Sequence, residues 1–198
     1  SQDVCYICKV TKKSIIGNIS GINYVICKKC KHVYTDKRLS LENLNMFYTK
    51  DRSFSNTYSN KKFLKLREGI VRPKIKLISK YAKGKNWLDI GSAGGSSIQI
   101  LKKKGFNATG LELSEHSIKF AREFRNVELL PYDLDEFSRT STKKWNVISM
   151  FCILEHLTDP VKALESSNKL LSKNGIIAIE VPNFDSISTS IQLILKNN

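Results

Sequence analysis

The chain has 198 residues, 41% hydrophobic and 26% charged, which fits one domain of ordinary size plus a small appendage. No apolar run approaches a membrane span and Ser1-Gln2-Asp3 is unlike a secretory leader, so no membrane is expected and the cytoplasm is the expected compartment. The net charge of +15 brings nucleic acid to mind, but the basic residues are mostly Lys and scattered, which reads better as a solvated surface.

Five cysteines punctuate the chain. Four form two Cys-x-x-Cys pairs, Cys5/Cys8 and Cys27/Cys30, while Cys152 stands alone. An odd count without a leader argues for reduced thiols rather than a disulfide framework. Between the pairs, Ser14–Gly17 and Ile22–Ile26 flank a Gly/Asn/Ser turn, so the insert reads as a β-hairpin. Two such knuckles beside a hairpin can bring four thiolates into the closed tetrahedron of a structural Zn²⁺, with His32 a spare donor. Residues 1–35 are therefore expected to be a zinc ribbon.

Residues 36–60 read as a connector with a short helix near Leu41–Tyr48. From Lys61 to Lys83 apolar residues recur at helical spacing and Pro73 interrupts them, predicting two helices or one kinked helix. Strands are then predicted at Asn86–Ile90, Ala108–Leu113, Val127–Leu130, Asn146–Phe151 and Ile176–Val181. Helices are predicted at Ser96–Lys104, Glu115–Phe124 and Val161–Leu171. Asp159 should cap the last of these, with Pro160 in its first turn and Gly175 just past its end. Such alternation predicts an α/β fold with a parallel sheet covered on both faces, binding ligands at the carboxyl ends of its strands.

Trp87-Leu88-Asp89-Ile90-Gly91-Ser92-Ala93-Gly94-Gly95-Ser96 runs from a strand into a helix, and its small residues permit a sharp turn and close ligand approach. The Gly-x-Gly-x-x-Gly spacing of dinucleotide sites is not met, since Ala93 and Ser96 fall where glycines are required. Asp89 just before the turn would repel a pyrophosphate but suits a ligand carrying an ammonium and a sulfonium. Glu112, closing the next strand, is placed to accept from two ribose hydroxyls, and Leu113 could pack on an adenine face. Asp133, after the third strand, is either an adenine-amino acceptor or a plain turn aspartate.

Together with Leu154-Glu155-His156-Leu157-Thr158-Asp159-Pro160, these features resemble class I S-adenosylmethionine (SAM) dependent methyltransferases, nearest to ubiquinone-biosynthesis and sugar methyltransferases. The resemblance covers roughly residues 60–184, within a methyltransferase domain drawn at 61–198, and implies a Rossmann-like sheet. It implies that Asp89, Gly91, Ala93 and Gly95 line the methionine end of SAM and that Glu112 takes the ribose. Asp133 and Leu134 would flank adenine while Phe151 and Cys152 close over the cofactor. Ala93 stands where the family usually carries a second glycine. The family also continues with an antiparallel hairpin after the fifth strand, whereas Ile176–Val181 is followed here only by Pro182-Asn183-Phe184 and a helix-like tail. A partner chain or oligomer completing the fold is one expectation that follows.

His156 lies just past the fourth strand, where an imidazole could act as general base for methyl transfer. The competing reading, which the sequence favours, is that Glu155 and His156 fix the loop by hydrogen bonds. Relatives with a metal site of Glu-x-x-Glu-His type carry Glu where Cys152 stands, so that site is not supported. A four-cysteine ribbon before such a domain resembles deoxysugar C-methyltransferases. The methyl acceptor is thus expected to be a small molecule, a sugar nucleotide or glycan precursor. The alternatives are an RNA methyltransferase using the basic surface, or a non-catalytic SAM-binding module that depends on a partner.

Overall fold

The computed structural model describes residues 3–19, 21–37 and 63–183. The helix expected at Leu41–Tyr48 and the tail from Phe184 lie outside them. Contacts divide the chain into two compact units, residues 3–37 belonging to one and 63–180 to the other.

In the first unit, strands β1 (Lys13–Ile19), β2 (Ile22–Cys27) and β3 (Val33–Thr35) form an antiparallel sheet in that order. The predicted hairpin is β1–β2, with Ile19 opposite Ile22 across a turn in which Gly21 takes φ 78°. The third strand was not foreseen; three residues are too short for a periodicity signal. Val25, Tyr34, Cys5 and Cys27 make its small core.

The second unit opens with α1 (Leu64–Ser79), one continuous helix despite Pro73. Next come β4 (Asn86–Ile90), α2 (Ser96–Lys103), β5 (Asn107–Leu111), α3 (Glu115–Arg125), α4 (Leu134–Thr140), β6 (Trp145–Phe151), α5 (Pro160–Leu170) and β7 (Leu171–Glu180). The four strands form one parallel sheet in the order β5-β4-β6-β7. β4 and β6 are interior and almost wholly buried, as expected of strands covered on both faces. One core cluster packs Trp87, Ile98, Leu101, Val147 and Ile75, and a second packs Leu88, Ile148, Met150, Trp145 and Leu170. Arg125, at the end of α3, is buried and ties three helices together: it donates to Glu68 of α1 and Gln99 of α2, each at 2.9 Å.

Three expectations need correcting. Val127–Leu130 is no strand: only Leu130 bridges Leu111, through two backbone bonds, before Pro131 turns the chain away. The alternating burial of Val127 and Leu129 is real, but it comes from packing beneath the sheet edge. α4 was missed because seven residues hold under two turns of pattern. Gly175 does not stop the last helix, which ends at Leu170 and passes straight into β7. Asn174 takes the left-handed turn (φ 64°) in a bulge, and a Cβ on Gly175 would stand 2.9 Å from the Trp145 carbonyl oxygen. Asp159 does cap α5, accepting from the Lys162 N–H at 2.9 Å, with Pro160 in the first turn.

Candidate cofactor site and cysteine cluster

The sheet order reverses between β4 and β6, so the carboxyl ends of these strands flank the crevice that open α/β sheets use for ligands. Into it runs the turn joining β4 to α2. Gly91 (φ 68°), Ala93 (φ 46°) and Gly95 (φ 74°) all take left-handed backbone. Ala93 thus has the conformation of the glycine it replaces, which costs a residue with a Cβ about 1–2 kcal/mol. At Gly91 a Cβ would collide with Ile153, whose Cδ1 lies 2.1 Å from that point.

Asp89 is buried beneath this turn. Its Oδ2 accepts from the hydroxyls of Ser92 (3.0 Å) and Ser97, and its Oδ1 from Ser149 on β6. Burial pushes its carboxyl above the usual range while the three hydroxyls pull the other way. The sequence foresaw the position of Asp89 but none of these serines. Ser92 and Ser97 sit in a visible small-residue run, whereas Ser149 becomes a neighbour only through the β4/β6 register, which pairs it with Asp89.

Glu112 follows β5 by one residue and reaches back over the turn. Its Oε2 accepts from the Ala93 N–H at 2.7 Å and its Oε1 from the Ser114 N–H at 2.9 Å. Burial raises its carboxyl too, against those N–H groups, and Asp89 adds to the rise. The acid that the sequence marked is thereby brought to the glycine turn. Gly110, unmarked by the sequence, makes this closeness possible: a Cβ there would lie 2.4 Å from Ser92 Oγ.

The other predicted positions scatter around the crevice. Leu113 is exposed two residues beyond β5, and Leu134 is buried in the core. Asp133 caps α4, accepting from the Glu136 N–H at 2.8 Å, so its turn role is filled. Phe151 ends β6 with the Lys74 ammonium 5.4 Å above its ring. Cys152 has left-handed backbone (φ 55°) and donates its N–H to Glu180. Its thiol is raised by burial and by Glu180 and Glu155. His156 lies on a single 3₁₀ turn (Leu154–His156), with Nε2 3.9 Å from Glu155 and its N–H on the Ile153 carbonyl.

In the first unit the four cysteines converge. All four Sγ atoms lie within 4.8 Å of one another, with Cys5–Cys30 at 3.6 Å and Cys8–Cys27 at 3.5 Å. The edge of a tetrahedron of thiolates about 2.3 Å from a zinc ion is ~3.8 Å, so this donor set fits that ion without rearrangement. The two knuckles repeat one backbone pattern. Lys9 N–H bonds Cys5 C=O and Lys31 N–H bonds Cys27 C=O, and both lysines take φ near +60° (58° and 62°). Cys27 is lowered to about 6, chiefly by the Cys30 N–H. Cys30 is pushed up to about 12: the His32 N–H lowers it, but burial and the three neighbouring thiols prevail. Four cysteine sulfurs this close form a donor set suited to a cation.

The parallel sheet with a glycine turn closed by an acid from the next strand is the Rossmann-like fold of SAM-dependent methyltransferases. Residues 63–196 match the family described as "Methyltransferase domain", and the chain belongs to that family. It is 29% identical over 103 residues to the ubiquinone biosynthesis O-methyltransferase of Actinobacillus pleuropneumoniae serotype 7, covering 48% of this chain and 44% of that protein. The Pelagibacter ubique protein of the same name is 31% identical over 122 residues, covering 60% and 51%. The chain thus spans about half the length of these curated relatives. Among solved structures, the plantazolicin methyltransferase BpumL in complex with SAH superposes with a TM-score of 0.59 at 24% identity, over 75% of this chain and 61% of that one. Magnesium protoporphyrin IX methyltransferase (ChlM) from Synechocystis PCC 6803 with bound SAM gives 0.55 at 14% identity, over 82% and 88%. Both likenesses concern the fold. Among the described residues no helix is long and apolar enough to cross a membrane.

Proposed function

We propose that this chain binds SAM at the β4–α2 turn and transfers its methyl group to a small-molecule acceptor, a sugar nucleotide or other glycan precursor. The observation that carries the reading is the turn itself: three left-handed residues, bridged by Glu112 through the Ala93 N–H, above a buried Asp89. Gly91, Ala93 and Gly95 shape the turn that takes the methionine end of the cofactor, Asp89 lies beneath it, and Glu112 takes the ribose hydroxyls. Leu113, Asp133 and Leu134 border the adenine, while Phe151 and Cys152 close the crevice from β6. SAM when bound supplies a methyl group already activated by its sulfonium. The chain's own task is to align the acceptor and hold a proton-accepting group beside it. That role falls to His156, on the 3₁₀ turn after β6 with its Nε2 3.9 Å from Glu155.

The four cysteines are read as a structural zinc site, because four thiolates close the tetrahedron and leave no position for a reacting water. The ribbon ahead of the domain favours the sugar-type acceptor through the resemblance noted from the sequence. The relatives' names point to other small acceptors, in ubiquinone biosynthesis and in plantazolicin.

Calorimetric titration with SAM and SAH, beside an Asp89→Ala control, tests the cofactor reading. Binding by the parent that is lost in the control is expected. A folded parent that binds neither compound overturns it. Methyl transfer from labelled SAM to a panel of sugar nucleotides then tests the acceptor.

A further inference from the structure

We propose that Ser149, on the interior strand β6 and outside the glycine turn, is a positioning residue of the cofactor site that acts through Asp89. The inference rests on the reading that the β4–α2 turn holds SAM.

Ser149 is wholly buried, and its register partner across the sheet is Asp89. Its Oγ has three polar neighbours: Trp87 Nε1 at 2.8 Å, Asp89 Oδ1, and the Leu88 carbonyl at 3.5 Å. An indole N–H can only donate, so Ser149 must accept from Trp87. Its single hydroxyl proton is then left for an acceptor, and the closer carboxyl oxygen takes it in preference to the distant carbonyl. The direction of the chain is therefore fixed: Trp87 N–H to Ser149 O–H to Asp89 Oδ1.

The two oxygens of Asp89 are divided between two bodies. Oδ1 is tied to the sheet by Ser149, whereas Oδ2 is tied to the turn by Ser92 and to the first turn of α2 by Ser97. Ser92 also bonds the Asp89 carbonyl at 2.9 Å, so the carboxylate and the turn move as one. Without Ser149, Asp89 would still be bonded to the turn, but the turn would have lost its side-chain anchor to β6. The groups that face Asp89 from each side are Ser149 on β6, Ser92 in the turn and Ser97 on α2, with Glu112 beyond β5 as the coupled charge. None of these is a cation, so the hydroxyls are the groups that oppose the rise burial gives this carboxyl.

The test measures SAH affinity by calorimetry at several pH values for the parent, Ser149→Ala, Ser149→Thr and Trp87→Phe, each checked for folding by circular dichroism. Loss of one hydrogen bond to a charged group predicts about tenfold weaker binding for Ser149→Ala. The loss should deepen as pH falls, because Asp89 with one donor fewer protonates more readily. Ser149→Thr keeps the hydroxyl and should restore both the affinity and the pH profile. Trp87→Phe frees the Ser149 proton to turn away and should weaken binding about threefold, which keeps the inference testable if Ser149→Ala does not fold. Parent affinity and profile in a folded Ser149→Ala, or in Trp87→Phe should Ser149→Ala not fold, overturn the inference alone, since a purely structural serine would lower only the melting temperature. A parent that fails to bind SAH overturns the cofactor reading and this inference with it.

Discussion

Replacing Gly110 with alanine tests how tightly the cofactor turn is built. A Cβ at this position would stand 2.4 Å from Ser92 Oγ, 2.6 Å from Leu129 Cδ2 and 2.9 Å from Ile98 Cγ1. All three neighbours are buried, at 5%, 4% and 0% exposure, so none can swing into solvent. Overpacking of this kind costs about 1–3 kcal/mol. The nearest atom is also the hydroxyl that bonds Asp89, and displacing it adds ~1.5 kcal/mol for a lost bond to a charged group. The lower chain entropy of alanine in the unfolded state returns about 0.4–1 kcal/mol. The net is near 3 kcal/mol, or roughly 6–12 °C in melting temperature for a chain of this size. Gly69→Ala is the matched control, because nothing lies within 4 Å of its Cβ position on α1 and helix propensity favours alanine. Thermal unfolding by circular dichroism reads both variants, and SAH calorimetry should show weakened binding only for Gly110→Ala. A Gly110→Ala protein melting within about 2 °C of the parent would show that the packing around the turn is looser than these distances imply.

Asp89→Asn should be no less stable than the parent at pH 7, since the serine hydroxyls can turn to suit an amide. Burial raises the carboxyl of folded Asp89, so the native state holds its proton more tightly and the parent loses stability as pH rises from the ordinary carboxylate range. Urea unfolding between about pH 4 and pH 7 should show a flatter slope in the variant; a variant less stable at pH 7 would refute this. Arg125→Ala leaves Glu68 the longer contact to Arg72 and takes a donor from Gln99, and should cost about 1–3 kcal/mol in the same assay, because the guanidinium that bonds them is only 3% exposed. Chelation of zinc, or Cys27→Ser, should erase the protected amides of β2 and β3 while leaving those of β4 and β6 intact. One zinc per chain by elemental analysis is the accompanying expectation, and its absence would remove the metal reading.

Where the sequence could be read, a long buried run or a fixed chemical punctuation carried the signal. β4 is found residue for residue because an apolar strand ends at a glycine turn, and the start of α5 is found because Asp159 and Pro160 mark it. Glu112 is marked by its place at the end of an apolar strand, although the strand itself stops at Leu111, two residues short of the expected end. Ser149 and Gly110 are not legible in this way. Their importance arises from register and close approach across strands, which no local period records. Val127–Leu130 misleads because burial by packing and burial by strand pairing leave the same alternation.

The order β5-β4-β6-β7 also divides the cofactor crevice by how readily its parts open. Asp89 and Ser149 belong to interior strands bonded on both sides, the portion of a sheet that exchanges its amide hydrogens last. Glu112 follows an edge strand whose outer side, among the described residues, is joined only at Leu130. The crevice therefore has one wall that exchanges with the whole fold and another that breathes on its own. A ligand held by both would slow exchange at Glu112 and Ala93 far more than at Asp89.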